Sequence, residues 1–400
     1  MSSCLLAPWP SRRAFLFLFL AGAWLIVSAC AAKPEPARQE GAAAGGLSRI
    51  AVFPVENLTG KSFPSREIHA SLVARLQAEG IEVLDEASLD RLMTKYRVRY
   101  TAGVEPEVAR ALQREGGVEA VLIPSVELYE ETSPPRVAIF WRLVSTGEYP
   151  ALLWIDGTGL AGDDAPGILG LGLIEEPRAL LAKATDALAR SLVRAASEAG
   201  DRVPGTPRVP KFRPKIVYRS EALDPARSYS VAVVPFFNRS ERKYAGEIVA
   251  LHMIRNLMRF QNFVVVEPGI VRQELLRFRI IMQDGVSLPE TETILNAVNA
   301  DLVLNGEVLD YTDPRDPSGY PKVDFSVLFI ERKSRKVVYS SYSHNQGNDG
   351  VVLFDWGRVN TAHAMAAQMA RAIGDRLVLG SPQASAGGGS PRPANGGKAR

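Results

Sequence analysis

The most constraining feature of this 400-residue sequence is an internal repeat. Residues 50–57 read IAVFPVEN, and residues 231–238 read VAVVPFFN. Further matches follow in the same order and at nearly the same spacing, with residues 81–84 matching 263–266 and residues 119–122 matching 301–304. Because a chance match would not keep its order over a whole domain, we interpret the chain as two tandem copies of one domain, residues 48–197 and 229–379.

Each copy shows the same succession of predicted elements. In the first copy, helices are expected at 66–80, after the potential cap Asp85, and after Pro106 at a first helical turn. Short apolar strands precede and separate these helices, and two later strands flank a hairpin turn at Gly147. Because βα alternation is followed by an antiparallel hairpin and a closing helix, the pattern predicts an α+β fold with a mixed sheet and packed helices in each copy.

The N-terminus has the features of a bacterial lipoprotein signal peptide. Arg12 and Arg13 precede an uncharged run, residues 14–29, that is shorter than the ~20 residues of a spanning helix. Residues 27–30 read VSAC, the pattern of a lipobox. We expect residues 1–29 to be cleaved and Cys30 to carry acyl chains such as palmitate, which anchor the protein in a lipid bilayer. An uncleaved signal-anchor helix is the alternative.

Export and sorting leave some choices open. The arginine pair resembles a twin-arginine export signal, but the strongly apolar run after it favours the general secretory route, and the twin-arginine route is the alternative. Ala31 follows the cysteine, and by resemblance to the sorted lipoproteins of Gram-negative bacteria this residue favours the outer membrane, on its periplasmic side. Residues 30–47 are expected to be a flexible tether, 198–228 a Pro-rich basic linker and 380–400 a disordered tail. Export excludes nucleic acid as a partner of the basic linker, for which peptidoglycan or anionic lipid remain alternatives to plain solvation.

No pattern of residues points to catalysis or to a bound cofactor. The only cysteines are Cys4, in the predicted signal peptide, and Cys30, so the mature chain has no disulfide. The four histidines lack ligand spacing and are expected singly on the surface or on helix faces: His69, His252, His344 and His363. The glycines at 156–159 and 167–172 and the acidic pairs at 163–164 and 313–316 are interpreted as ordinary turns. We therefore expect no catalytic, metal or cofactor site, and an enzyme is the disfavoured alternative.

Several short motifs resemble a known family of envelope domains. The sequence NLTG at 57–60, directly after an AVFPV strand, resembles the opening of domains related to the curli secretion lipoprotein CsgG, to the penicillin-binding-protein activator LpoB and to the N-terminal domain of TolB. Residues 299–308, NADLVLNGEV, resemble the family's Gly-Ala-Asp, strand, Gly signature, from which the first copy departs at Pro124. The resemblance implies that both copies have this fold.

The same resemblance implies a non-catalytic module that binds envelope proteins and helps to assemble a periplasmic or outer-membrane complex. A subunit or accessory factor of a curli-like secretion channel is the alternative. A channel hairpin needs two alternating strands of about 9–11 residues each, and no loop of this chain offers such a pair.

An apolar loop precedes the closing helix of each copy. In the first copy it holds Ile168, Leu169, Leu171 and Leu173, and in the second Val351, Val352, Leu353, Phe354 and Trp356. These side chains either cover the domain's own core or form a partner-binding or self-association surface. The candidate interface residues are Val351, Leu353, Phe354 and Trp356, and the oligomeric state stays open.

Overall fold

The computed structural model describes residues 48–165, 172–197, 210–280, 288–314, 319–351 and 357–379, and both copies belong to one compact unit. The strands are β1 (Arg49–Val52), β2 (Glu56–Asn57), β3 (Glu82–Val83), β4 (Ala120–Glu130), β5 (Arg136–Ser145), β6 (Leu152–Ala161), β7 (Ile216–Arg219), β8 (Tyr229–Val233), β9 (Phe237–Asn238), β10 (Phe263–Val265), β11 (Leu302–Thr312), β12 (Lys322–Glu331) and β13 (Val337–Gln346).

The helices are α1 (Ser65–Ala78), α2 (Glu86–Lys95), α3 (Pro106–Gly116), α4 (Pro177–Ser197), α5 (Ala245–Leu257), α6 (Pro268–Arg277), α7 (Leu288–Ala297) and α8 (Ala362–Leu379). Local sequence explains several of their ends. The Asp85 carboxylate accepts a hydrogen bond from the Ser88 amide and caps α2, and Pro106 begins α3, both as predicted. Among the described residues, no helix has the length and apolar character needed to cross a membrane.

The two copies share the order of five strands in their sheets, and the second sheet has one additional edge strand, β7. The first sheet has the order β3-β1-β4-β5-β6, and the second has the order β10-β8-β11-β12-β13-β7. In both sheets the three strands at one side pair in parallel, and the following strands pair antiparallel. A helix closes each copy after the hairpin. This combination of mixed sheets and packed helices confirms the predicted α+β class.

A layer of helices between the two sheets joins the copies. Helices α1 and α4 cover one face of the first sheet, where Leu72 and Leu188 pack on strand residues such as Trp141. Helices α5 and α8 of the second copy cover the inner face of the second sheet and also contact β6 of the first. One hydrophobic core therefore contains residues of both copies, including Phe140 of β5, Ile254 of α5 and Met365 of α8.

The segment predicted to be a solvated linker contributes to the second domain instead. Phe212 is fully buried in the shared core, and β7 pairs antiparallel with β13 at the edge of the second sheet. The Lys211 ammonium group donates a hydrogen bond to the Gly357 carbonyl oxygen, at 2.5 Å. Prolines do not prevent this arrangement, because Pro214 precedes an edge strand, a position where proline is tolerated. The linker prediction is therefore wrong for residues 210–228, whereas residues 198–209 lie outside the described part of the chain.

Candidate functional site

A buried polar cluster lies where the two copies meet. Glu127 comes from β4 of the first copy, His252 from the middle of α5, and His363 from the first turn of α8. All three side chains are at least 98% buried. The two histidines are 111 positions apart in the sequence. Both lie on helices, as expected, but their meeting in one cluster was not expected. Helix packing, not sequence spacing, brings them together.

The Glu127 carboxylate makes two short hydrogen bonds to the second copy. Its Oε2 lies 2.6 Å from Nδ1 of His363, and its Oε1 accepts a 2.5 Å hydrogen bond from the Tyr311 hydroxyl group. The Arg242 guanidinium group also donates to the Glu127 carbonyl oxygen. Charge-assisted hydrogen bonds of this kind are about twice as strong as neutral ones. The cluster thus ties the end of β4 to three separate segments of the second copy.

Aromatic rings enclose the two imidazoles. The centroids of His252 and His363 are 4.6 Å apart, and the Phe140 ring lies 4.8 Å from the first and 4.7 Å from the second. Three nitrogens of these rings have no hydrogen-bond partner among the described residues: both nitrogens of His252, and Nε2 of His363. Burial holds the pKa of His252 well below its usual value, and the nearby His363 and Arg255 lower it further. His252 is therefore a neutral imidazole with free nitrogen atoms.

The cluster has the chemistry of a metal-ligand set. One donor atom from each of Glu127, His252 and His363 can be chosen so that all three lie within 4.8 Å of one another. Two imidazoles and a carboxylate suit divalent transition metals such as Zn²⁺ and Fe²⁺. No such set was expected from the sequence, because the three residues have no ligand spacing.

Two glycines of β6 permit the close packing at this cluster. The motif at 156–159 was predicted to be a turn, but Gly157 and Gly159 lie inside β6 and face α8. A Cβ atom at Gly159 would lie 2.7 Å from Cβ of His363, and one at Gly157 would lie 2.5 Å from the Phe140 ring. Such contacts are too short for real side chains, so only glycine allows the α8 backbone to approach the strand this closely.

Acidic side chains of both predicted turns help to hold α8 in place. Asp313 accepts a 2.7 Å hydrogen bond from the Ala362 amide at the start of α8, and burial raises the pKa of this carboxyl group to about 6. Asp164 accepts a 2.8 Å hydrogen bond from the Ala161 amide, as turn chemistry predicts, and another from the Asn360 side chain of the second copy at 3.0 Å. Asp316 lies outside the described residues.

A second polar contact between the copies involves Glu267, which caps α6. Its Oε2 accepts a 3.0 Å hydrogen bond from the Ile270 amide, and its Oε1 a longer one from the Val104 amide of the first copy, at 3.4 Å. Gly103 and Gly269 approach backbone to backbone at the same place. Burial raises the pKa of Glu267 to about 7, although Arg142 and the backbone hydrogen bonds act in the opposite direction.

The structure places the other predicted site residues as follows. Cys30, Leu353, Phe354 and Trp356 lie outside the described residues, and Val351 is half-buried. In the first-copy loop, residues 168–171 also lie outside them, and Leu173 is exposed. His69 is half-buried, and the exposed His344 contacts Asp324 at 3.2 Å. Of the four histidines, only His252 and His363 come together.

Comparisons with known proteins give similarity to solved structures only. No model of a protein family matches this chain, and no curated protein does. The PelC dodecamer from Paraburkholderia phytofirmans is 18% identical over 40% of this chain and 94% of its own, with a TM-score of 0.29. The lipoprotein GNA1162 from Neisseria meningitidis is 21% identical over 38% of this chain and 99% of its own, with a TM-score of 0.26.

The LpoB C-terminal domain from Salmonella enterica is 19% identical over 29% of this chain and 84% of its own, with a TM-score of 0.24. Each of these matches covers less than half of the chain. At such TM-scores the similarities carry no conclusion about function.

Proposed function

We propose that this chain is a lipid-anchored protein of the bacterial cell envelope that binds other envelope proteins and has no catalytic activity of its own. The observation that carries the proposal is the sequence VSAC at residues 27–30, directly after a short apolar run and a pair of arginines. A cysteine in this position becomes the lipidated first residue of a mature lipoprotein. The Cys30 anchor would hold the protein on the periplasmic side of the outer membrane.

The architecture supports a scaffolding role. The buried polar groups between the copies hold β4, α5 and α8 together, with Glu127 bonded to His363 and Tyr311. Enzymes place such groups in a concave pocket that a substrate can enter, whereas these groups are enclosed by the packing of the two copies. A rigid double domain on a tether is suited to present binding surfaces to partners.

We also propose that the two copies arose by tandem duplication of one CsgG/TolB-like domain. The five strands that the two sheets share in the same order and the repeated closing helices, α4 and α8, support this origin. The aligned motifs, residues 50–57 and 231–238, fall on β1 and β2 in the first copy and on β8 and β9 in the second.

Replacing the predicted anchor tests the localisation. Cys30→Ser should abolish incorporation of labelled palmitate and release the protein into the soluble periplasm or leave it unprocessed. Cys4→Ser is the matched control, because Cys4 lies in the segment expected to be removed, and this variant should stay with the outer-membrane fraction. Continued maturation and membrane fractionation of Cys30→Ser would contradict the anchor.

A second experiment tests the binding role of the segment that holds Val351, Leu353, Phe354 and Trp356. The double variant Phe354→Ser/Trp356→Ser should lose cross-linked partners from membranes while keeping its thermal unfolding temperature. Tyr149→Ser is the control, since this side chain is 67% exposed between β5 and β6 of the first copy. A large loss of stability without a specific binding defect would mean that the segment belongs to the core.

A further inference from the structure

The cluster of Glu127, His252 and His363 has more donor atoms than the surrounding residues use. Both nitrogens of His252 and Nε2 of His363 are buried and lack a hydrogen-bond partner among the described residues. Leaving a buried polar group unpaired costs about 1–3 kcal/mol in proteins. A ligand that binds the unpaired nitrogens of these two imidazoles would therefore stabilise the folded chain.

From this arrangement we propose that Glu127, His252 and His363 bind a divalent transition-metal ion, of the class represented by Zn²⁺, at the junction of the two copies. The two histidines supply nitrogen ligands, and Glu127 supplies the carboxylate. Such a set occurs in protein sites with three protein ligands and one further position for water.

The distances require a modest adjustment. The chosen donor atoms lie within 4.8 Å of one another, whereas donors bound tetrahedrally to Zn²⁺ at about 2.0–2.1 Å lie roughly 3.3 Å apart. Binding would therefore have to draw the most distant donor atoms together by up to about 1.5 Å. Glu127 and His363 now share a hydrogen bond between Oε2 and Nδ1, at 2.6 Å, and this bond would be replaced by bonds to the ion.

The Glu127 carboxylate is the anionic group of the cluster, whereas the positive charge of Arg255 acts on His252. The Tyr311 hydroxyl group donates to Oε1 of Glu127 and orients the carboxylate, and Oε2 lies against Nδ1 of His363. Partners of this kind fix a ligand's orientation at a metal, and their loss typically weakens binding about 10–100-fold. The Phe140 ring shields both imidazoles on one side. Because the ligands come from β4, α5 and α8, the ion would join the two copies.

The test uses the full chain, purified in detergent and stripped with a chelator. Titration with Zn²⁺ should show a single ion bound per chain, and Co²⁺ should give the visible absorption bands of a nitrogen-ligated site. At a Zn²⁺ concentration 100 times the dissociation constant, the unfolding temperature should rise by about 5 °C. Absence of binding by the wild-type chain would overturn the proposal.

His252→Phe separates a metal ligand from a packing residue. Because neither nitrogen of His252 has a partner, an aromatic ring without nitrogen should keep or raise the unfolding temperature in chelator while removing the response to Zn²⁺. His252→Leu serves the same purpose if phenylalanine is too large. His344→Ala is the matched control, since this exposed histidine lies outside the cluster, and it should bind like the wild type. Full binding by a correctly folded His252 variant would also overturn the proposal.

Discussion

Glu267 links the stability of the protein to pH through a single carboxyl group. It is almost fully buried at the contact between the copies, and burial raises its pKa from 4.5 to about 7. A raised pKa in the folded state means that the folded protein retains the proton longer than the unfolded chain does. The contribution of this group is thus complete below pH 4.5 and is lost as the pH rises towards 7.

The variant Glu267→Gln should remove this dependence. Glutamine keeps an oxygen that can accept the hydrogen bond from the Ile270 amide but has no charge to bury. We expect equal stability of the two proteins at pH 4.5 and a more stable variant at pH 8, by on the order of 3 kcal/mol at most. Urea unfolding at both pH values measures the difference. A variant that is less stable at pH 8 would show that the ionised carboxylate is favourably bound.

The residues of the buried cluster could not be predicted from the sequence. Glu127, His252 and His363 have no common spacing, because their proximity depends on how one copy packs on the other. One signal was available. Gly157 and Gly159 alternate within a strand, and glycines on one face of a strand mark a close approach of other backbone. The prediction of a turn at these glycines was wrong, so the strand face on which α8 packs was not predicted.

At the level of elements, the pattern of the sequence predicted most of the architecture. The apolar strands and the closing helices have strong periodicity, so their type and order follow from local residues, as for β1 and α4. Strand β7 was missed because its neighbourhood is Pro-rich and basic, a composition typical of linkers. Its place is decided by a distant partner, β13, and by the burial of Phe212. The composition of the segment around β7 indicates neither the pairing with β13 nor the burial of Phe212.

Two substitutions in the segment around β7 distinguish a folded segment from a solvated linker. Phe212→Ala should lower the free energy of unfolding by about 3–5 kcal/mol, because it leaves a cavity in the shared core. Ile216→Ala is the control in the same segment, since Ile216 is 65% exposed and should change stability by less than about 0.5 kcal/mol. Chemical denaturation measures both. Equal, negligible effects would mean that residues 210–228 are only a spacer.

At the scale of the whole molecule, the copies have different surroundings despite their common topology. Helix α1 buries one face, with Ile68, Leu72 and Leu76 directed inward. The corresponding helix α5 is buried on nearly every side, because it lies between the two sheets. An ion pair between Asp156 of β6 and Arg255 of α5, at 2.5 Å, crosses the same junction. Helix α5 of the second copy thus belongs to the hydrophobic core that also contains strand residues of the first copy.

This shared core predicts that both copies unfold together. Phe140 belongs to the first copy but packs on His252 and His363 of the second. Phe140→Ala should therefore lower the global free energy of unfolding by about 3–5 kcal/mol. The loss should be equal in both copies when amide hydrogen exchange is measured in β4–β6 and in β11–β13, because a cooperative unit opens as a whole. If exchange accelerates in the first copy alone, or if denaturant unfolding resolves into two transitions, the copies fold as independent domains and the junction is only a contact between them.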